Sequence, residues 1–422
     1  MAELAELGSP GEKTAGDDSA PAPRGFAVRL TLGALGLHAA VMTPVVVTMA
    51  LRIGEVDPAG KEKSLGLVLG IGAFLAMIAN PLFGRLSDRT TSRYGRRRPW
   101  LISGSLGVVA GLALVATVDS IPVILAGWCL TQVSYNAALA ALMATIPDQV
   151  PAPRRGGVSG AMGFSFMAAI MCGSLIIGTV NDVRIQFLAP AVAGTLLITW
   201  FTLRLKDRPA DGDRPALTLR QFLGSFWTNP VTHRDFGWAW LSRFLMMLAI
   251  MTPNAYAVFL LTDRIGVPHN ELARTAAALV TAGMACNAVV SLLGGWLSDR
   301  IGRRKPFVIG GALIATVGLV MIPAAESLAM VFVGTIIFNI GGGVFMSVDM
   351  ALVTQVLPND EDAAKDLGVI NIANALPQSI GPAIAPLFLA IGTGHNYPAL
   401  YGFGVVCALL GAFLVTRIRG VR

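Results

Sequence analysis

Long apolar runs alternate with short polar segments along almost the whole 422-residue chain. From Phe26 onward the runs fit helices of about 20 residues, the length that crosses the hydrocarbon layer of a bilayer. The pattern therefore predicts an all-α membrane protein with twelve membrane-spanning helices. The expected spans are 28–50, 64–84, 99–118, 121–146, 157–180, 187–205, 236–261, 271–295, 306–324, 328–353, 367–392 and 397–416.

The polar segments divide the spans into two groups of six. Residues 206–235 contain proline and acid clusters unsuited to crossing a membrane, so they predict a central cytoplasmic loop. Residues 1–25 lack the basic start and apolar core of a signal peptide and predict a disordered cytoplasmic tail. The domains expected from this division are six-helix bundles over 26–205 and 236–416, followed by a short cytoplasmic tail over 417–422.

An arginine-rich loop occurs twice in the sequence. GRLSDRTTSRYGRRRPW over residues 84–100 returns as GWLSDRIGRRKPF over residues 295–307, and Gly84 and Asp88 match Gly295 and Asp299 at an offset of 211. The repeat predicts two pseudo-symmetric bundles. Parallel halves of this kind are typical of transporters that work by alternating access through rocking.

Composition and charge support a membrane setting. The chain is 54% hydrophobic and 14% charged, with a mean hydropathy of +0.65, so we expect the lipid bilayer to solvate it. The net charge of +7 is confined to short loops, which argues against a nucleic-acid partner. The cations concentrate on one side of the predicted spans, which places both termini in the cytoplasm of a multi-pass protein of the cell membrane. The four cysteines lie in apolar runs and are expected to be buried thiols.

The doubled motif G-x-L-S-D-R…G-R-R-(R/K)-P resembles the signature loop of the major facilitator superfamily. The first copy, SDRTTSRYGRRRP, is similar to that of the sucrose transporters and their glycoside-pentoside-hexuronide:cation symporter relatives. The resemblance implies the major facilitator fold and a secondary transporter that moves a sugar or glycoside together with a cation. The expected cation is a proton. In contrast to the sucrose transporters, spans one, two, four and five have no Asp or Glu in their interiors.

The resemblance also implies a gate at the arginine-rich loops. Asp88 is expected to face the start of span eleven near Gly368, where a helix N-terminus favours an anion. The alternative is that these acids only cap helices and balance the arginines. The candidate gating residues are Asp88, Arg89, Arg97, Asp299, Arg300 and Arg304.

Apart from Glu271 and Arg274 at the start of span eight, two charged residues fall inside spans of the second half. Arg243 lies about two turns into span seven, where an unpaired guanidinium is costly and normally faces a bundle interior. Asp349 in span ten lies at a similar inferred depth, so we expect the two to form an ion pair. The alternatives are that Arg243 reaches the headgroups and that Asp349 belongs to the following loop.

A set of polar side chains gathers at comparable depths and forms the predicted substrate site. Amides suit a polyhydroxylated ligand because each offers a donor and an acceptor, although hydrogen bonds between helices would also explain them. His38, near the middle of span one, is the first-choice protonatable group of the first half, and the alternative is a hydrogen-bonded structural histidine. The candidate substrate-binding residues are His38, Gln132, Asn136, Arg243, Asn254, Tyr256, Asn339, Asn374 and Gln378, with Asn371 on the same helical face as the last two.

These features favour a monomeric secondary transporter of a small polar solute, with a proton as the coupling cation. The leading alternative is an efflux carrier for a drug or secondary metabolite. A receptor or scaffold would need a substantial soluble domain, and the repeat suits alternating access better than a channel. No stretch of the sequence resembles a nucleotide loop, a catalytic triad, a zinc-binding motif or a haem ligand set, so neither an enzyme nor a cofactor or metal site is predicted.

Overall fold

The computed structural model describes residues 25–207, 209, 233–356, 363–392 and 395–419. Within this part of the chain there are helices and no strands, and twelve helices are long and apolar enough to cross a membrane. The predicted tails over 1–25 and 417–422 and the central loop over 206–235 lie largely outside the described residues.

Each predicted span coincides with one of these helices, labelled α1 to α12, with shifts of a few residues at the ends. The helices of the first half are α1 (Phe26–Thr43, continuing as Pro44–Thr48 and Met49–Val56), α2 (Lys61–Asp88), α3 (Arg98–Thr117), α4 (Ile121–Gln149), α5 (Ala152–Thr179) and α6 (Val183–Arg204). Those of the second half are α7 (Arg234–Asn254, continuing as Ala257–Asp263), α8 (His269–Ile301), α9 (Lys305–Ala324), α10 (Leu328–Gln355), α11 (Ala363–Leu389) and α12 (Tyr397–Val415).

Two spans contain irregular turns that the apolar pattern does not reveal. The segment Pro44–Thr48 of α1 is π-helical, and the N–H of Met49 donates to the carbonyl of Pro44, five residues earlier. In α7 the regular helix ends at Asn254, just after Pro253, and resumes at Ala257. Proline cannot donate to the preceding turn, so it interrupts the helical hydrogen bonds at both places.

Close helix packing within each half depends on pairs of glycines. A Cβ atom added at Gly36 of α1 would lie 2.6 Å from the Cα of Gly194 in α6, and in the second half Gly311 and Gly341 bring α9 and α10 equally close. Small residues of this kind let backbones approach inside a membrane, where burial of apolar surface gives little driving force between helices.

The two halves meet at one face of the membrane and separate at the other. We call the face with loops 89–97 and 302–304 the arginine-loop face, and the other the opposite face. Ser379 of α11 donates to the Gly70 carbonyl of α2 at 2.6 Å, within the half of these helices nearer the opposite face. Near the arginine-loop face, by contrast, a Cβ added at Gly160 or Gly163 of α5 would meet no atom within 4 Å.

Ion pairs between the halves follow the same division. Lys61 Nζ of α2 lies 2.6 Å from Asp263 Oδ1 of α7, and His269 Nε2 of α8 lies 3.9 Å from Glu55 Oε1 of α1, all at helix ends on the opposite face. Near the opposite face α5 and α8 touch, since a Cβ added at Gly178 would lie 3.5 Å from the Cβ of Ala277. The structure is therefore closed at the opposite face and open at the arginine-loop face.

The cysteines do not all lie in the protein interior. All four are free thiols: Cys407 is buried, Cys129 and Cys286 are half-buried, and Cys172 lies exposed on α5. The expectation of buried thiols is therefore wrong for Cys172. An apolar run in a membrane helix needs only one face against protein because lipid covers the other.

Candidate functional site

The second half carries a buried ion pair near the middle of the bundle. Arg243 of α7 donates from Nη1 to Asp349 Oδ2 of α10, and the two residues are only 3% and 2% exposed. Arg243 Nε also donates to Asn374 Oδ1 of α11 at 2.7 Å. The guanidinium therefore joins three helices, and both it and Asp349 are buried within the bundle. The alternatives of a snorkelling arginine and a loop aspartate do not fit this burial.

The face of α11 next to this pair is polar and accessible. Asn371 and Gln378 are exposed, and Asn374 is half-buried against the guanidinium. Gln378 Nε2 donates back to the Asn374 carbonyl at 3.1 Å, which leaves its side-chain oxygen available to a ligand. The i, i+3, i+7 spacing thus presents amides along one side of α11, beside the Arg243–Asp349 pair.

In the first half, His38 pairs with a tyrosine. His38 Nδ1 of α1 and the Tyr135 hydroxyl of α4 are joined by a hydrogen bond of 2.8 Å, and the Phe166 ring of α5 packs edge-on against the imidazole at 5.3 Å between centroids. His38 is buried. Its described partners are uncharged, whereas Arg243 in the second half is paired with a carboxylate.

Two amides join α2 to α4 close to this histidine. Asn80 Nδ2 donates to Asn136 Oδ1 at 3.3 Å, and Asn136 Nδ2 donates to the Gln132 carbonyl at 2.8 Å. The Gln132 side chain packs near Gly72, and within the described part of the chain its amide makes no hydrogen bond to another residue. Gln132 is the amide of this group best able to bind a ligand.

Three of the predicted substrate residues lie elsewhere. Tyr256 is buried at the opposite face, where its hydroxyl donates to the carbonyls of Glu62 at 3.0 Å and Pro382 at 2.9 Å. Asn254 is exposed at the break in α7. Asn339 bonds to the Thr335 carbonyl of its own helix at 2.9 Å. The structure does not bring these three together with Arg243 and Gln132.

The first arginine loop is locked to its own half through Arg97. Its guanidinium donates to Asp88 Oδ1 at 2.5 Å, to Ser87 Oγ at 2.5 Å and to Asp148 Oδ2 at 2.9 Å, and the residue is 3% exposed. Burial disfavours the charge of Arg97, but the hydrogen bonds and charges of Asp148 and Asp88 outweigh it and raise its pKa. The ends of α2 and α4 are therefore bonded to the start of α3.

The second arginine loop is much looser. Arg304 Nη2 lies 3.8 Å from Asp299 Oδ1, whose side chain is exposed, and Arg300 lies over the Trp296 ring at 5.4 Å. The Arg89 N–H donates to the Leu86 carbonyl at the end of α2. The expected contact of Asp88 with α11 near Gly368 involves side chains outside the described residues. In this conformation Asp88 is bonded to Arg97 of its own half.

Sequence reasoning missed several polar partners that the structure reveals. Asn80 and Tyr135 complete the first-half group, and Asn287 donates to the Asn339 carbonyl at 3.2 Å. Trp240 Nε1 donates to the Val369 carbonyl of α11 at 2.8 Å. Each is a polar group within an apolar span, and that signal could have found Asn80 and Asn287 before the structure.

Comparison with known proteins identifies the family. A sequence profile described as Major Facilitator Superfamily matches residues 30–278 and 269–421. Together with the two related six-helix bundles, this match defines a membrane transporter. The chain belongs to the Major Facilitator Superfamily.

Shorter matches link the chain to individual members. Solute carrier family 45 member 3 of Mus musculus is 47% identical over 55 residues, 13% of this chain and 10% of the relative. Proton-associated sugar transporter A of Homo sapiens is 34% identical over 90 residues, 21% of this chain and 11% of the relative. Tetracycline resistance protein, class E, of Escherichia coli is 30% identical over 180 residues, 42% of each protein. The matched stretch thus spans about a tenth of the length of the first of these relatives.

Solved structures agree in fold over nearly the whole chain. The nucleoside transporter NupG superposes with a TM-score of 0.72 at 12% identity, covering 93% of this chain and 98% of that one. The D-xylose-proton symporter superposes with a TM-score of 0.70 at 16% identity, covering 94% and 98%. At these identities the likeness shows the major facilitator fold alone.

Proposed function

We propose that this protein is a proton-coupled symporter that moves a sugar or glycoside across the cell membrane by alternating access. The observation that carries the proposal is the buried Arg243–Asp349 pair, with Asn374 bonded to the same guanidinium. This pair joins a group that can exchange a proton to an amide that can bind a hydroxyl group. Intramembrane charges of this kind mark substrate and proton pathways.

The coupling follows from the charge balance of the pair. With Asp349 ionised, its carboxylate neutralises Arg243. When Asp349 takes up a proton, the guanidinium loses that partner and can donate to a substrate oxygen instead. Substrate binding and protonation therefore favour each other, which is the reciprocity that symport requires.

The rest of the site suits a polyhydroxylated solute. Gln132 in the first half, and Asn374 and Gln378 in the second, offer amides from both bundles, so a bound sugar would contact both. Among relatives, the name Proton-associated sugar transporter A is in accord with this reading, although the match is restricted to 90 residues. The open arginine-loop face then corresponds to the cytoplasmic side, with both termini there and the protein acting as a monomer.

Counterflow in proteoliposomes tests the proposal. Purified protein is reconstituted into vesicles loaded with one unlabelled sugar at a time, and entry of the labelled sugar is followed with and without a pH gradient. We expect at least one sugar to show counterflow, and an inward proton gradient to drive its accumulation. Absence of sugar-dependent exchange across the panel would refute the substrate class.

The role of Asp349 has its own test. Asp349→Asn should abolish accumulation driven by the pH gradient but keep counterflow, because exchange does not need net proton movement. The control is Asp182→Asn, since Asp182 caps α6 by accepting from the Arg184 N–H at 2.7 Å and asparagine caps equally well. Gradient-driven accumulation by Asp349→Asn would assign the proton to another group.

An efflux carrier is the second candidate, favoured by the match to the tetracycline resistance protein over 42% of the chain. The two functions give different results when protein is expressed in drug-sensitive bacterial cells. An efflux carrier would lower tetracycline accumulation and raise resistance in a proton-gradient-dependent manner. We expect neither change.

A further inference from the structure

A cluster of charged and polar side chains joins the two halves at the opposite face. It consists of Lys61 and Glu62 at the start of α2, Asp263 at the end of α7, and His395 and Tyr397 at the start of α12. Lys61 Nζ lies 2.6 Å from Asp263 Oδ1, and Tyr397 donates to Asp263 Oδ2 at 2.8 Å. The first two residues belong to the first half and the other three to the second.

The histidine stands between two carboxylates from different halves. His395 Nδ1 lies 2.8 Å from Glu62 Oε1 and 3.3 Å from Asp263 Oδ2. One ring nitrogen can hold only one proton, yet two acceptors converge on it. With a neutral imidazole, two carboxylates face a single ammonium, so the cluster keeps an uncompensated negative charge. The arrangement favours an additional cation at the point where the three atoms converge.

From this geometry we infer that Glu62, Asp263 and His395 form a binding site for a divalent transition-metal ion of the Zn²⁺ type. Their ligand atoms all lie within 4.8 Å of one another. Zn²⁺ binds imidazole nitrogen and carboxylate oxygen at about 2.0–2.2 Å, so two ligands of one ion stand about 3.4 Å apart. Both distances from His395 Nδ1 are already at or below this value.

The surroundings also suit a transition metal. The His395 side chain is 58% exposed, which gives an ion a path from solvent and leaves room for water as a fourth ligand. An imidazole ligand and so few oxygens disfavour Ca²⁺ and Mg²⁺, which prefer shells of oxygen. Lys61 is the competing cation, because it already occupies the other oxygen of Asp263.

Binding at this position acts on conformation. Because Glu62 belongs to the first half and the other two ligands to the second, the metal connects the halves only while they touch at the opposite face. An ion that binds this state and not the state open at that face stabilises it by mass action. The site is thus a metal-dependent lock on the conformation described above, independent of which solute is transported.

Zn²⁺ binding to the purified full-length protein, with any polyhistidine tag removed, tests the site. Equilibrium dialysis in detergent should give one Zn²⁺ per chain, and Zn²⁺ should raise the thermal unfolding temperature. His395→Ala and Glu62→Gln should each weaken binding by at least about tenfold, since even outer-shell partners contribute 10–100-fold to metal affinity. His269→Ala is the matched control because His269 lies exposed on the same face, 3.9 Å from Glu55.

Three results of these binding experiments would overturn the proposed Zn²⁺ site. Equal Zn²⁺ affinity in His395→Ala and the unaltered chain would overturn the proposal, as would the absence of stoichiometric binding at millimolar Zn²⁺. If His395→Ala elutes as an aggregate on size exclusion, Glu62→Gln and His395→Gln give the same comparison. If only His269→Ala loses Zn²⁺ binding, the metal binds at His269 rather than at His395, and this site is refuted.

Discussion

Arg243 Nη1 donates a hydrogen bond to Asp349 Oδ2 between α7 and α10, with both side chains buried. Replacing one member of a buried ion pair leaves an uncompensated charge, which costs about 3–5 kcal/mol of stability. We therefore expect Arg243→Met to lower the unfolding temperature of the purified protein clearly in a thermal unfolding assay in detergent.

The double variant Arg243→Met, Asp349→Leu is the control for this prediction. It removes both charges and keeps side chains of similar volume, so stability should return towards that of the unaltered protein while transport stays lost. If the single variant unfolds at the temperature of the unaltered chain, the pair does not stabilise the second half.

The hydrogen bond between His38 and Tyr135 gives a second prediction. Tyr135→Phe removes the hydroxyl and leaves the buried His38 Nδ1 without its partner, which costs about 1–3 kcal/mol. Thermal unfolding measures this loss.

The pH dependence of transport should persist in His38→Gln because the proposal assigns the coupled proton to Asp349. Loss of that dependence in His38→Gln together with its retention in Asp349→Asn would exchange their roles.

Arg97 gives a third prediction, which compares the two arginine loops. Arg97→Lys keeps the charge but cannot reproduce the simultaneous contacts with Ser87, Asp88 and Asp148, because an ammonium lacks the planar fork of a guanidinium. Hydrogen bonds to charged groups contribute about 1.5–3 kcal/mol each, so we expect a marked fall in unfolding temperature. Thermal unfolding with Arg304→Lys as the matched control checks this.

The control tests the difference between the halves. The contact of Arg304 with Asp299 is 3.8 Å long and involves an exposed carboxylate, so its loss should change stability by less than about 1 kcal/mol. Equal effects of the two substitutions would mean that the first loop is no more firmly fixed than the second.

A fourth prediction concerns the closed opposite face. A Cβ added at Gly66 would meet the Pro382 carbonyl and the Tyr256 hydroxyl, so Gly66→Leu should prevent α2 and α11 from meeting there. The population should shift away from the state open at the arginine-loop face. Labelling of a cysteine introduced at Gly160, after the native cysteines are replaced, should fall several-fold.

Gly402→Leu is the matched control, since a Cβ at that glycine of α12 would meet no atom within 4 Å. Its labelling at Gly160 should equal that of the unaltered background. Unchanged labelling in Gly66→Leu would show that the contact between α2 and α11 does not hold the opposite face closed.

The number and type of spans could be predicted because length and hydropathy determine what crosses a bilayer. The depth of a residue within its span was harder to predict from the sequence. A continuous helix would place Tyr256 at a depth similar to that of Asn254, but the break after Pro253 places the Tyr256 hydroxyl between Glu62 and Pro382 at the opposite face.

Partners far apart in the sequence could be predicted only where leaving a group unpaired would cost much free energy. Arg243 and Asp349 were expected to pair because an isolated charge in a membrane is expensive. No such energetic cost identifies Tyr135 as the partner of His38, or Asn80 as the partner of Asn136. Uncharged polar groups can form hydrogen bonds with many different partners inside a helix bundle. The cluster around His395 combines residues from three distant parts of the chain, and periodicity in sequence carries no information about such a meeting.

The π-helical segment Pro44–Thr48 has a consequence for the phase of α1. Its wider turn accommodates an extra residue, so the helix before it and the helix after it are rotated with respect to a regular α-helix by about 100°. This rotation lets His38 face α4 while Arg52, in the last turns, reaches the Val115 carbonyl and Asp119 beyond α3. If one residue were deleted from this segment, His38 and Arg52 could no longer both reach their partners. The number of residues in α1 is therefore more constrained than the hydrophobicity of those residues.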